Sequence, residues 1–147
     1  MLNRLNHVAI AVPDLAAAVT FYRDVLGAEV SEAMDLWEHG VTSVFVYLSN
    51  TKLELITPLG DHSPIAGFLA KNPAGGLHHL CFDVQDIHVS SDKVKAAHVR
   101  LLDVPKPGSQ GNPVVFMHPV SMIMVLLPSL NGAETGFCGN ILSENIL

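Results

Sequence analysis

An internal repeat limits what this 147-residue chain can fold into more than any other feature of its sequence. Residues 5–15 align without gaps to residues 77–87, at an offset of 72 that is close to half of the chain length. A leucine, a histidine, a valine and an aspartate recur at identical positions of the two segments. Because self-similarity at a fixed offset is typical of tandem modules, we expect two similar modules within one domain.

Each copy of the repeat has the alternating pattern of a β-strand, in which successive side chains point to opposite faces. His7 and His79 then lie on a face lined by small residues, and we expect both histidines to open onto that face. The bulky residues lie on the other face and should pack against a helix: Val8, Ile10 and Val12 in the first copy, and Leu80, Phe82 and Val84 in the second.

The residues that follow each copy predict the rest of the module. Asp14 and Asp86 are expected to cap helices, and Gly27 is suited to end the first helix. Further apolar segments predict three more strands per module: 28–32, 44–48 and 53–57 in the first, and 99–103, 114–117 and 122–127 in the second. The predicted fold class is therefore α+β, with two tandem βαβββ modules paired into a half-open curved sheet.

These modules divide the single domain, residues 1–147, into four segments. Ser63-Pro64 is a typical helix start and Asn72-Pro73 a typical stop, so a linker helix is expected before the flexible Gly75-Gly76. The expected boundaries are module 1 at about 3–60, the linker helix at about 61–73, module 2 at about 75–128 and a tail at 129–147.

Composition excludes several classes of protein. Apolar residues make up 49% of the chain and charged residues 15%, which is too hydrophobic for a disordered protein. The net charge of −6 is spread without basic blocks, which argues against nucleic acid or a membrane as a partner. No apolar run is long enough to span a bilayer. Cys81 and Cys138 do not form a disulfide framework, so a reducing compartment is expected.

The eight histidines equal the lysines and arginines in number, and two of them are candidate metal ligands. His7 and His79 occupy matched positions of the repeat, and two neutral imidazoles on facing strands suit a divalent transition metal. His78 must point to the opposite face of the strand from His79. Leu53 and Leu55 send Glu54 to the other side of their strand, where it would either complete a two-histidine, one-carboxylate set or be a solvated edge group.

Several motifs, in order, resemble the methylmalonyl-CoA epimerase family of the vicinal oxygen chelate (glyoxalase) superfamily. The likeness covers about residues 3–121 and is closest to the animal, mitochondrial enzymes. The motifs that carry it are His7-Val8-Ala9-Ile10-Ala11-Val12-Pro13-Asp14-Leu15, Glu38-His39-Gly40-Val41, Asn50-Thr51-Lys52-Leu53-Glu54-Leu55, Asp61-His62-Ser63-Pro64-Ile65-Ala66, Gly75-Gly76-Leu77-His78-His79 and residues 111–119.

The resemblance implies a function and a set of ligands. His7, Glu54 and His79 would hold a divalent ion, typically Co²⁺, with Zn²⁺, Mn²⁺ or Ni²⁺ as alternatives. The implied reaction moves one proton at C2 and interconverts (R)- and (S)-methylmalonyl-CoA in propionyl-CoA metabolism. The implied partner is the acyl-CoA substrate, and the protein would be a homodimer. Its implied location is the mitochondrial matrix, with the cytoplasm as the alternative.

One position departs from the family pattern. Ten residues beyond the histidine of the His-Pro turn the family has a carboxylate that is both metal ligand and candidate base, and this chain has Pro128. In one bacterial branch of the family another acid is proposed as a base, and the matching position in this chain is Ser43. The catalytic acid and base are therefore unassigned. Three explanations stay open: an alternative C-terminus, replacement of the ligand by Glu134, and lost activity.

Other functions use the same constellation of residues. A glyoxalase-type lyase or a ring-cleaving non-haem iron dioxygenase also binds its metal with two histidines and a carboxylate. A catalytically impaired or metal-free binding member of the superfamily would keep the paired modules and lose ligands. The order of the motifs favours the epimerase over these alternatives.

Overall fold

The structure is a computed structural model that describes residues 2–102, 104–107, 112–118 and 124–128. The described residues divide into two compact units, one of residues 7–78 and the other of residues 2–6 with those from 79 to 128. Their helices and strands are β1 (Leu2–Ala11), α1 (Leu15–Thr20), β2 (Glu29–Val30), β3 (Met34–Leu36), β4 (Val41–Tyr47), β5 (Lys52–Pro58), α2 (Pro64–Lys71), β6 (Gly76–Val84), α3 (Ile87–Ala96), β7 (Lys106–Pro107), β8 (Pro113–Phe116) and β9 (Met124–Pro128).

The first unit follows the predicted βαβββ connectivity. Its strands lie in the order β2-β4-β5-β1. Strand β3 pairs in antiparallel fashion with residues 41–43 of β4. Strand β5 runs parallel to β1 and antiparallel to β4. The strands expected at 44–48 and 53–57 are thus confirmed as β4 and β5, each with slightly different ends.

Helix α1 covers the bulky face of the first repeat, as predicted. The Asp14 carboxylate caps the helix by accepting a hydrogen bond from the Ala17 N–H at 2.9 Å. The helix continues as one π-helical turn, Phe21–Val25, and the chain leaves it through Gly27 at a φ of +68°. The core under this helix is aliphatic and is formed by Val44, Val46 and Leu55, with Ile10, Val12, Leu15, Val19 and Tyr22 packed around it.

The second unit repeats this connectivity. Its strands lie in the order β6-β9-β8-β7, with β9 parallel to β6 and antiparallel to β8. Asp86 caps helix α3 by accepting hydrogen bonds from the backbone N–H groups of His88 and Val89. The helix packs on an apolar core formed by Val84, Ile87, Val94, Val115, Met117 and Leu126. The internal repeat of the sequence is therefore an internal repeat of structure.

The strand expected at 99–103 is wrong. Leu101 forms an isolated bridge with Met117, flanked by backbone hydrogen bonds from Leu102 N–H to Phe116 and from His118 N–H to Arg100. The nearest paired strand is the two-residue β7, Lys106–Pro107. In the pairing of β7 with β8, Pro107 lies opposite Pro113. Because proline has no N–H to donate, this pair contributes no ladder hydrogen bond between its two residues.

Helix α2 covers part of the small-residue face. Ser63 caps it and Pro64 occupies its first turn. Its buried Ile65, with Phe68 and Leu69 beside it, packs against a cluster that contains Ala9, Ala11, Val41 and Ile56. Helix α2 lies where the linker helix was expected. Small side chains on β1 let a helix approach the sheet closely, so this part of the face is covered and not open.

No helix in the described part of the chain combines the length and the apolar character that a membrane span requires.

The Gly75 backbone joins α2 to β6 and tolerates no side chain. Its φ is +79°, and a Cβ at this position would collide with the carbonyl oxygen of Ala11. Gly67, by contrast, lies in α2 with open space around its Cα.

We predict opposite stability effects at these two glycines. Gly75→Ala should destabilise the protein by about 2 kcal/mol or more, since a left-handed conformation costs a non-glycine residue roughly 1–2 kcal/mol before the collision is counted. Gly67→Ala should stabilise it by up to about 1 kcal/mol because alanine favours helix. Urea unfolding of both variants measures the difference, and equal midpoints would contradict the prediction.

Candidate metal centre

Strand register places His7 and Glu54 side by side. Ala9 on β1 pairs with Glu54 on β5, and His7 pairs with Lys52, so alternate residues of both strands share one face. The Nε2 atom of His7 lies 3.3 Å from the Oε2 atom of Glu54. Both residues are buried, with at most 1% of their surface exposed. Glu54 therefore points inward and is not a solvated edge group.

Neighbours on β4 hold this pair in place. The Ser43 hydroxyl donates a hydrogen bond to Glu54 Oε1 at 2.8 Å. The Phe45 ring meets the His7 ring edge to face, with centroids 6.0 Å apart, and the Lys52 ammonium lies 5.4 Å from the Phe45 centroid. A carboxylate with a donor on one oxygen and an imidazole restrained by an aromatic ring have little freedom to reorient.

His79 joins His7 and Glu54 in one cluster. Each of the three residues offers one ligand atom, and these atoms all lie within 4.8 Å of one another. All three residues are buried. Two imidazole nitrogens and one carboxylate oxygen form a donor set that suits zinc, cobalt and similar divalent ions. The cluster could hold a metal ion, and it consists of the three residues expected from the sequence.

Both histidines of the cluster are removed from solvent. The exposed fraction is 0% for His7 and 1% for His79. A carboxylate removed from water needs a compensating positive charge or several hydrogen bonds. A divalent ion among these three side chains would supply that positive charge, so the donor set fits a metal by its charge as well as by its atoms.

His78 has different surroundings from its neighbour in sequence. Its ring meets Phe68 of α2 edge to face, with centroids 5.1 Å apart. Burial lowers the pKa of His78 to about 4, and the negative charge of Glu54 opposes part of this shift. His78 is therefore a neutral, packed residue at neutral pH.

A second buried carboxylate, Asp83, was not anticipated from the sequence as part of a polar network. Its Oδ2 accepts a hydrogen bond from Arg4 Nε at 2.5 Å, and its Oδ1 accepts one from Asn6 Nδ2 at 2.9 Å. Asp83 is buried whereas the Arg4 side chain is partly exposed. Two donors on this carboxylate indicate a structural role in the second unit.

The position that departs from the family pattern lies at the end of β9. Pro128 is the last residue of this strand and pairs with Val84 on β6. Among the residues that the structure describes, the candidate metal cluster contains a single carboxylate, Glu54. The alternative ligand Glu134 and the tail at 129–147 lie outside the described residues.

Residues 6–116, most of the chain, match the Glyoxalase/Bleomycin resistance protein/Dioxygenase superfamily. The chain belongs to this superfamily. The α+β fold class of tandem βαβββ modules that the sequence predicted is thereby confirmed.

Relatives of this superfamily member include named enzymes. The chain is 58% identical over 121 residues to the ethylmalonyl-CoA/methylmalonyl-CoA epimerase of Cereibacter sphaeroides, which covers 81% of this chain and 90% of that protein. It is 57% identical over 119 residues to the mitochondrial methylmalonyl-CoA epimerase of Homo sapiens, covering 80% of this chain and 68% of that protein. A solved Streptomyces coelicolor methylmalonyl-CoA epimerase variant, in complex with 2-nitronate-propionyl-CoA, superposes with a TM-score of 0.80 at 32% identity, covering 88% of this chain and 96% of that chain.

We predict that the two adjacent histidines respond differently to replacement. His79→Ala removes an imidazole from the cluster and should weaken Co²⁺ binding by more than the roughly 10–100-fold that loss of an outer-shell partner typically costs. His78→Ala should leave the affinity for Co²⁺ unchanged and lower the thermal stability, because it removes packing against Phe68. Calorimetric titration with Co²⁺ and thermal unfolding measure the two effects, and equal losses of affinity would refute the assignment.

Proposed function

We infer that this chain interconverts the (R) and (S) epimers of methylmalonyl-CoA by proton transfer at C2. The observation that carries this inference is the buried His7–Glu54–His79 cluster, in a chain more than half identical to epimerases of that substrate. An acyl-CoA is accordingly the proposed ligand. The alternative lyase and dioxygenase functions share the donor set, whereas the Cereibacter sphaeroides and human relatives, each more than half identical to this chain, are named as epimerases.

His7, Glu54 and His79 are the proposed metal ligands. When bound, a divalent ion supplies positive charge that polarises the thioester carbonyl and acidifies the adjacent C–H. Buried side chains that are already in place at the cluster do not have to reorganise as negative charge develops, and such preorganisation is usually the largest contribution to catalysis. We propose Co²⁺ as the ion, with Zn²⁺, Mn²⁺ and Ni²⁺ as alternatives that the same nitrogen and oxygen donors accept.

The proton transfer requires an acid or base on each face of the reacting carbon. Glu54 is the carboxylate of the candidate metal cluster, and its oxygens face Ser43 and His7. Asp83 is bound by Arg4 and Asn6 and is unsuited to carry a proton. We therefore assign neither of these two buried carboxylates as a proton carrier, and propose that an acid from elsewhere in the chain carries the proton on each face.

Assembly and location are proposals by analogy with the relatives. The human relative is named as a mitochondrial protein. We propose that this chain works in the mitochondrial matrix or, in a cell of another kind, in the cytoplasm. We also propose a homodimer, in keeping with the family resemblance of the sequence.

One observation favours a second candidate, a catalytically impaired or metal-free binding protein of the same superfamily. Pro128 ends β9 at the position where the family pattern has a carboxylate. Loss of a metal ligand that is also a base would lower activity far more than it would lower affinity for an acyl-CoA. The two candidates therefore differ in proton exchange and agree in ligand binding.

We predict that the Co²⁺-loaded protein incorporates deuterium at C2 of a single epimer of methylmalonyl-CoA in deuterated water. Proton abstraction at C2 gives a carbanion that takes deuterium from the solvent, and mass spectrometry or NMR detects the label. His7→Ala, incubated under the same conditions, is the matched control and should show no incorporation above the enzyme-free rate. Binding of the acyl-CoA without incorporation by the natural chain would contradict the epimerase and support the impaired alternative.

A further inference from the structure

We propose that Ser43 is a positioning residue that determines which oxygen of Glu54 binds the metal. The inference rests on the proposed metal centre and adds a fourth side chain to it. Ser43 does not contribute a ligand atom. Its role is to bind Oε1 of Glu54 so that Oε2 is presented to the ion as a single-oxygen ligand.

The geometry separates the two oxygens of Glu54 by partner. Oε1 accepts the hydrogen bond of the Ser43 hydroxyl at 2.8 Å, whereas Oε2 lies 3.3 Å from Nε2 of His7. Ser43 is fully buried, as Glu54 nearly is, so the hydrogen bond is shielded from competing water. A hydrogen bond from a hydroxyl to a carboxylate is stronger when the pair is buried than when it is at the surface.

Strand register explains why Ser43 reaches this carboxylate. Strands β4 and β5 are antiparallel, with Phe45 opposite Glu54 and Ser43 opposite Ile56. Ser43, Phe45 and Glu54 consequently share a face, and Ser43 is the diagonal neighbour of Glu54. A small hydroxyl side chain can extend to Oε1 from that position, while Phe45 packs against His7.

A carboxylate ligand can bind an ion through one oxygen or through both, and rotation of its terminal torsion exchanges the two oxygens. The Ser43 hydrogen bond opposes that rotation and occupies Oε1. Without it, Glu54 would be free to bind through either oxygen or both. Such outer partners of metal ligands typically change metal affinity by roughly 10–100-fold.

Thr42 offers a matched control on the same strand. Its hydroxyl also donates to a carboxylate, Asp35, at 2.7 Å, and this pair is exposed. Thr42 is next to Ser43 in β4 and therefore points to the opposite face. Thr42→Ala therefore removes a hydrogen bond of the same kind, from a hydroxyl to a carboxylate, and leaves the Ser43–Glu54 bond intact.

The test measures Co²⁺ binding and the visible absorption spectrum of the Co²⁺-loaded protein. Ser43→Ala should weaken binding by about 10–100-fold and shift the ligand-field bands, because the coordination of Glu54 changes. Ser43→Thr keeps the hydroxyl and should restore both values toward those of the natural chain. Thr42→Ala should leave both unchanged. A merely structural hydroxyl would alter the melting temperature of the metal-free protein and leave the bands where they are.

The outcomes separate this inference from the metal centre on which it rests. Unchanged affinity and bands in Ser43→Ala, with loss of binding in His7→Ala, would overturn the role of Ser43 and leave the metal centre standing. Failure of the natural chain to bind Co²⁺ would overturn both. If Ser43→Ala does not fold, Ser43→Val is compared with Ser43→Thr, since these differ in a methyl against a hydroxyl. Equal affinity and bands in that pair would overturn the proposal.

Discussion

The buried carboxylate of Glu54 is the constraint on which the candidate centre depends. A carboxylate with 1% exposure cannot rely on water for its stability, and it needs positive charge and hydrogen-bond donors around it. Ser43 supplies a donor to one oxygen and His7 lies beside the other. The ligand atoms of His79, His7 and Glu54 lie within 4.8 Å of one another. The cluster thus has a negative charge that a divalent cation would balance and donor atoms that could bind it. The negative charge that makes Glu54 costly to bury would also make it a good ligand for a cation.

One face of the sheet in the first unit packs in the apolar core, and the other carries the residues of the candidate site. In the first unit, Val44, Val46 and Leu55 point toward α1 and form an aliphatic core. Each such residue contributes about 1.5–3 kcal/mol when fully buried. Ser43, Phe45 and Glu54 alternate with these residues along β4 and β5 and lie on the opposite face. There Ser43 binds Glu54, and Phe45 and Glu54 lie beside His7. Period-two alternation thus lets one short hairpin, β4 with β5, stabilise the fold and build the site.

Much of this arrangement could be predicted from the sequence, for identifiable physical reasons. The matched positions of His7 and His79 follow from the repeat, and the direction of Glu54 follows from alternation with Leu53 and Leu55. Asp14 and Asp86 were predictable as caps because local hydrogen bonds decide helix starts. The role of each proposed ligand is a separate matter that metal binding must decide.

Other features depend on contacts that no local pattern contains. The Ser43–Glu54 hydrogen bond needs the register of β4 against β5, and the bonds of Asp83 to Arg4 and Asn6 join residues far apart in sequence. The cover that α2 places over Ala9 and Ala11 could be suspected from its inward Ile65 and Phe68, yet their target was not evident. In place of the strand expected at 99–103 there is a single bridge at Leu101 and the short strand β7, because a pattern of apolar residues does not report which backbone groups pair.

The central claim is that one divalent ion is held by His7, Glu54 and His79. Anomalous diffraction at the cobalt edge, from crystals of the Co²⁺-loaded protein, tests it most directly. We predict one strong peak within about 2.0–2.2 Å of a nitrogen of each histidine and of Oε2 of Glu54. A peak bound by His78 in place of His79, or a strong peak that none of these three residues contacts, would contradict it.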